Sequence, residues 1–344
     1  MKGKRTIRII LATLLVLTAL ALAAWYTAPA LLLWYAEKGL ASRNLARAES
    51  LLRLLLAVEP DHQRAHFLYA KVLRHLGKFS EADVQLGLAD KLGLPKQEGR
   101  REFGLLYAGW DFAHAKGALQ VVLKEHPDDL EVVQALAHGC LQQKRPAEAE
   151  TYFTRWLELR PDEIEPRVQR GLLYMDTRQF ANAMADFRTV LEQSPENFRA
   201  RLGLGLSLLS EARVSQAERE LRLCQQQRSD SPEPLIGLAE CAMERGDFTN
   251  AYTLLGKALE LDSGSLPALQ DLANLNLSQR RHEEAVRNFT EILRLAPNDM
   301  QALLKLAQTL NYLGRKEEAK QYEERYKQLD DEASKRLKSL QERR

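Results

Sequence analysis

IEPRVQRGLLYMDTRQFANAMADFRTVLEQSPEN, residues 164–197, sets the frame for the rest of the chain. The stretch is 34 residues long, with Gly171, Tyr174, Ala183, Phe187 and Pro195 at its places 8, 11, 20, 24 and 32. Gly171 and Ala183 are small, as required where two antiparallel helices cross and their backbones approach closely. Tyr174 and Phe187 are placed to fill the groove between those helices and the next pair. Pro195 stops the second helix, because proline lacks the amide and clashes with the preceding turn. A self-similar period of this length marks a repeat array, so the fold is read from the period before any single element.

Anchored on the place-20 alanine, the frame recurs from starts at 29, 63, 96, 130, 164, 198, 232, 266 and 300. Every interval is 34 residues except one of 33. The alanines are Ala48, Ala82, Ala115, Ala149, Ala183, Ala217, Ala251, Ala285 and Ala319. Prolines close six of the repeats, at Pro60, Pro95, Pro127, Pro161, Pro195 and Pro297. Gly77, Gly246 and Gly314 fall between the paired helices, where glycine can adopt positive φ. The third repeat is weak: it has Phe103 where a small residue is usual, with Gly104 beside it.

This pattern resembles the tetratricopeptide repeat over residues 29–333. Arg167 and Arg170 depart from it, standing where that family often has Trp and Leu. The resemblance implies an all-α, right-handed superhelical solenoid of about nine helix-turn-helix repeats, here behind one N-terminal transmembrane helix. Residues 334–344 fall outside the frame and are expected to form a solvated capping helix, which an array needs over its last apolar face.

Composition agrees with that class. A formal net charge of +2, from 49 basic and 47 acidic residues, gives no argument for nucleic acid. Cys140, Cys224 and Cys241 are isolated, without a zinc pattern or a disulfide framework, and read as small buried hydrophobes.

The N-terminus is MKGKRTIR, residues 1–8, with Lys2, Lys4, Arg5 and Arg8. Residues 9–28 follow as the expected transmembrane signal-anchor helix. Ile9 to Tyr26 alone would span roughly 27 Å as a helix, close to the hydrocarbon thickness of a bilayer. Trp25 and Tyr26 stand where an interfacial aromatic belt belongs. Ala21-Leu22-Ala23 also offers a signal-peptidase pattern, but the apolar stretch exceeds a typical h-region of about 7–15 residues, which favours the anchor. Basic residues ahead of the span keep the N-terminus in the cytoplasm and put the repeats outside it, in the periplasm or extracellular space.

No catalytic constellation, nucleotide loop or metal motif stands out, so neither a reaction, a cofactor nor a small-molecule substrate is expected. His62 and His66 share a four-residue spacing but lack a third ligand in sequence. Gly203 and Gly205 are explained by close helix packing. The triplets starting at Asn276 and Asn288 match glycosylation sequons but fall in helices.

What remains is the inner groove that the resemblance implies, lined by places 2, 5, 9, 12 and 13 of each first helix. On or beside it fall Arg64, Lys71, Arg74, Arg100 and Arg101, then Glu233, Glu240 and Glu244, then Gln270, Asn274, Gln301, Gln308 and Asn311. Side-chain amides can hydrogen-bond an extended peptide backbone through both donor and acceptor, and segregated charges can orient a bound chain. The lysine–asparagine clamp by which some members hold a C-terminal carboxylate is not reproduced. The expected function is a membrane-tethered scaffold that binds a protein or peptide in the groove. The alternative is a periplasmic or secreted assembly factor for envelope or exported proteins, released by signal cleavage.

Overall fold

The computed structural model describes residues 27–342, and among them are eighteen α-helices and no strand. The chain divides into two compact units, Met1–Asp162 and Glu163–Arg344. The first holds α1 (27–41), α2 (Leu45–Val58), α3 (Gln63–His75), α4 (Phe79–Lys91), α5 (Lys96–Ala108), α6 (Phe112–Glu125), α7 (Leu130–Gln142) and α8 (Pro146–Leu159). The second holds α9 (Ile164–Asp176), α10 (Phe180–Gln193), α11 (Phe198–Ser210), α12 (Val214–Gln227), α13 (Glu233–Glu244), α14 (Phe248–Leu261), α15 (Leu266–Ser278), α16 (His282–Leu295), α17 (Met300–Tyr312) and α18 (Lys316–Glu342). Odd-numbered helices are the first, or A, helices of each pair and even-numbered ones the second, or B, helices.

The place-20 alanines all lie on B helices, and all nine are fully buried. The A helix answers with a small residue of its own. A Cβ added to Gly171 would lie 2.6 Å from the Phe187 ring, and one added to Gly203 of the following A helix 2.5 Å from the same ring. Phe187 is therefore a wedge between its own repeat and the next, and bare backbone on both sides makes room for it. Such close packing leaves no space for an extra methyl without displacement.

Chain reversals follow two rules. At the end of most B helices the C-cap residue leaves the helical conformation, with ψ of 74–83°, and the next residue is proline, as at Glu59-Pro60, His126-Pro127, Arg160-Pro161, Ser194-Pro195 and Ala296-Pro297. Proline's ring disfavours the helical conformation in the residue before it, so the helix ends there. Between A and B helices the chain turns through a left-handed residue. Gly77, Gly246 and Gly314 have positive φ as expected, but Arg43, Lys144, Arg178, Ala212 and Arg280 take the same conformation without being glycine. At each of these turns an amide bonds back across the reversal, as Arg213 does to the Leu208 carbonyl at 2.8 Å, which closes the helix end.

The third repeat differs at this turn. Gly109 has a right-handed φ of −79°, and Asp111 donates to Tyr107 only four residues back. Gly104 takes the close-approach role here, with its added Cβ 2.7 Å from Leu119, while the one residue missing from the frame falls earlier, in the connection from α4 to α5. Phe103 is turned aside onto Tyr107, ring centroids 4.3 Å apart.

The segment read as the membrane span, residues 9–28, lies outside the described residues except for its last two, which belong to α1, and the basic flank 1–8 lies wholly outside them. Among the described residues no helix is long and apolar enough to cross a membrane. Residues 334–342 continue α18 without a break.

Candidate partner-binding face

In the first unit two of the groove cations, Arg74 and Arg101, are engaged by carboxylates of neighbouring A helices and their caps. Arg74 on α3 donates through Nε to Glu102 Oε1 on α5 at 2.5 Å and through Nη2 to Glu131 Oε1 on α7 at 2.7 Å. Arg101 on α5 grips Asp129 with two bonds of 2.6 and 2.9 Å and reaches Glu131 Oε2 at 2.9 Å. Glu131 thus joins three successive A helices. Burial alone would raise its pKa, but Arg74 and Arg101 outweigh burial and bring it down to about 2. The same carboxylates hold both guanidinium pKa values up against the burial that would lower them. Glu102 is 1% exposed, and its second oxygen has no hydrogen-bond partner, so it depends on Arg74 for compensation.

The other cations of this unit lie nearer solvent. Arg64 pairs with Glu98 at 2.8 Å and Glu37 at 3.5 Å, and it shares the Phe67 ring with Lys71, the two charges 5.2 and 5.5 Å from the ring centroid. Arg100 is 3.6 Å from Glu125 on the exposed rim.

The second unit presents the opposite case. Glu240 on α13 and Asp271 on α15 are half-buried, and among the described residues neither has a cation or a hydrogen-bond donor for its carboxylate. Burial pushes Glu240 up to about 7, helped by the Asp271 and Glu244 charges nearby, and burial pushes Asp271 up to about 6. Glu244 is exposed at the end of α13, and Glu233 accepts from the Ser231 hydroxyl. On the next turns of α15, Gln270 donates to Asn274 at 3.4 Å, while Gln301 and Gln308 on α17 are exposed. Asn311 is turned away from this set, donating to Glu323 on α18 at 2.7 Å.

Sequence reasoning did not single out Glu102, Asp129, Glu131 or Asp271. The first three could have been found by asking which carboxylates fall about one repeat beyond each groove arginine. Asp271 carried a weaker signal, an acid between two groove amides.

Other candidates resolve into structure. His62 caps α3 by accepting from the Ala65 amide at 3.2 Å, and His66 is bonded at both ring nitrogens, to Gln85 and to the Pro60 carbonyl, each at 2.7 Å. Asn276 is buried between Tyr252 and Asn288, so that sequon asparagine is inside the fold. Arg167 and Arg170 are explained by Asp186, a 5% exposed residue of α10 that Arg170 grips with bonds of 2.8 and 2.7 Å and Arg167 approaches at 3.8 Å.

A family profile described as "Tetratricopeptide repeat" matches residues 39–89, 168–232 and 271–334, and a second profile of the same description matches 242–287. Among solved structures, the chain is similar to a tetratricopeptide repeat protein from Parabacteroides merdae, at 17% identity and a TM-score of 0.50, covering 83% of this chain and 99% of that one. It is also similar to a chain of the APC/C hetero-tetramer Cut9-Hcn1, at 13% identity and a TM-score of 0.50, covering 77% of this chain and 52% of that one. MamA from Desulfovibrio magneticus matches over 49% of this chain and 96% of its own, at 21% identity and a TM-score of 0.43. These likenesses are of fold. No curated protein sequence matches.

Proposed function

The chain belongs to the tetratricopeptide repeat family, and on that premise we propose that it is a membrane-tethered scaffold that binds a protein or peptide partner along its A helices, chiefly in the second unit. The observation that carries this reading is the pair Glu240 and Asp271, two half-buried carboxylates on successive A helices with no cation to compensate them among the described residues. A buried charge without a partner is costly, and a bound chain bringing a cation would remove that cost. The exposed amides of Asn274, Gln301 and Gln308 supply donors and acceptors for a peptide backbone nearby. Arg74 and Arg101, by contrast, are already taken up by carboxylates of their own chain.

Tethering is supported by the uncharged stretch 9–28 behind four cations. In this reading the N-terminus is cytoplasmic and the repeats extracytoplasmic. The mature mass distinguishes an anchor from signal cleavage after Ala23. A reporter active only after export, fused at Arg344, should be active; silence there, with a cytoplasm-only reporter active, would refute the topology.

The binding surface is tested on a partner captured from detergent-solubilised membranes and then titrated calorimetrically. Asn274→Ala with Gln308→Ala should weaken binding by about 1–3 kcal/mol with helicity intact. Arg287→Ala, on a B helix and 69% exposed in its side chain, should change it little. Unchanged affinity in the folded double variant would remove both amides from the site.

A further inference from the structure

Helix α1 has one face that no described residue covers. Between residues 31 and 38 its exposed positions are Leu31, Trp34, Tyr35 and Lys38, a spacing of i, i+3, i+4, i+7 that makes a single stripe. Leu31 is 52%, Trp34 51% and Tyr35 43% exposed. The opposite face is packed: Ala36 is buried, Leu32, Leu33 and Leu40 lie against the core, and Gly39 approaches Ala48 of α2. The stripe is ordered within itself. Trp34 and Tyr35 meet edge to face at 4.8 Å, the Lys38 ammonium lies 5.0 Å from the Trp34 ring centroid, and the Arg47 guanidinium lies 5.8 Å from that of Tyr35. Neither Lys38 nor Arg47 has a carboxylate partner among the described residues, so both cations are left for another anion.

We propose that this stripe lies in the headgroup layer of the membrane, with Leu31, Trp34 and Tyr35 among the upper acyl chains and Lys38 and Arg47 on lipid phosphates. The proposal rests on the tether reading. Leucine, tryptophan and tyrosine on one side, edged by lysine and arginine, is the composition of a helix lying in the membrane–water interface. A protein partner could also cover an apolar stripe; what selects lipid is the chain that leads into it. Residues 9–26 are uncharged and long enough to cross the hydrocarbon core. Trp34 follows Tyr26 by eight residues, so a helical connection carries it no more than about 12 Å from the end of that stretch. Pro29, in the first turn of α1, lacks the amide that a continuous helix would use, which is where the direction of the chain can change.

The test uses the full chain in vesicles of phosphatidylcholine and phosphatidylglycerol. A fluorophore is attached at Leu31→Cys or Trp34→Cys on the stripe, or at Leu17→Cys within the apolar stretch. The native thiols do not compete: Cys140, Cys224 and Cys241 are buried, and burial pushes them up to about 11, 12 and 11. A nitroxide on the lipid headgroup should quench both stripe labels about twofold more than one at mid-chain, with the reverse order for the Leu17→Cys label. If the label at position 17 is quenched from the acyl chains while neither stripe label responds to any lipid, the proposal fails and the tether stands. If the label at position 17 is not quenched either, the tether fails and takes the proposal with it. Stripe labels shielded from aqueous iodide but untouched by lipid nitroxides would overturn the proposal in favour of protein covering α1, a second copy if dilution removes the shielding.

Discussion

Two charged regions, each built on the A helices of one unit, reach opposite electrostatic states. In the first unit, Arg74 and Arg101 are held by Glu102, Asp129 and Glu131, and the carboxylate between the arginines falls to about 2. In the second, burial raises Glu240 to about 7, with the Asp271 and Glu244 charges adding to it, and raises Asp271 to about 6, and among the described residues no cation pairs with either. Both regions lie on or beside groove places of the repeat. A charge at a groove place is therefore no evidence of a binding site by itself, because the neighbouring repeat can neutralise it, as it does at Arg74 and Arg101. A closed network joins repeats, whereas an open pair leaves free energy for a ligand to recover.

The largest expected effect breaks the closed network. Arg74→Met leaves Glu102 buried and uncompensated, and removing one partner of a buried ion pair typically costs about 3–5 kcal/mol. We expect a loss of about 3 kcal/mol in urea unfolding at pH 7, with Glu102→Gln added to Arg74→Met restoring much of it. A loss below about 1 kcal/mol would show that Glu102 does not depend on Arg74 and that the two regions do not differ in this respect.

This contrast marks the limit of what the sequence revealed. The period identifies the repeats because helix crossings tolerate only small residues, so nine alanines and the glycines opposite them must recur, and every one of those alanines is buried. Pro60, Pro127, Pro161, Pro195 and Pro297 mark the ends of B helices for an equally local reason. The left-handed turns were legible only at Gly77, Gly246 and Gly314; at Arg178 or Ala212 the stacking of the helices enforces a conformation that the residue itself does not favour. Arg167 and Arg170 read as mismatches because their meaning depends on Asp186, 16 residues on from Arg170 and inside the fold. The candidate site was legible as a face but not as a state: nothing local to Arg74 or Glu240 says which has a neighbour of opposite charge.

Opposite states should give opposite pH responses. Glu131 has its folded pKa depressed from an ordinary 4.5 to about 2, so its contribution is present above about 4.5 and lost as pH falls toward 2. Glu240 and Asp271 have theirs raised, from 4.5 and 3.8 to about 7 and about 6. Their contribution is complete below about 4 and lost as pH rises through 6 to 7, where the folded form must release protons it holds better than the unfolded chain. Both groups are half-exposed to solvent screening, so the loss should be about 1–2 kcal/mol rather than the full shift. Glu240→Gln with Asp271→Asn should flatten the stability curve between pH 4 and 8, leave its acid limb in place, and stabilise the protein at pH 8. A double variant with the parent's slope above pH 5 would mean that the pair is compensated after all.

The smallest effect decides whether burial or ion pairing as such separates the two regions. Arg100 and Glu125 also join neighbouring helices of the first unit, but at 3.6 Å and with side chains 41% and 42% exposed. Water screens such a pair, and ordering two long side chains offsets most of the attraction, so exposed pairs contribute about 0–1 kcal/mol. Arg100→Met should therefore shift stability by less than about 0.5 kcal/mol, and 1 M salt should erase what shift there is. The Arg74→Met loss should persist in the same salt, because ions cannot enter around Glu102 to replace the guanidinium. If instead both variants lose similar amounts and both losses vanish in salt, the network behaves as surface charge. Arg74 and Arg101 would then be open to a partner's carboxylates, and the case for placing the working face in the second unit would lose its contrast.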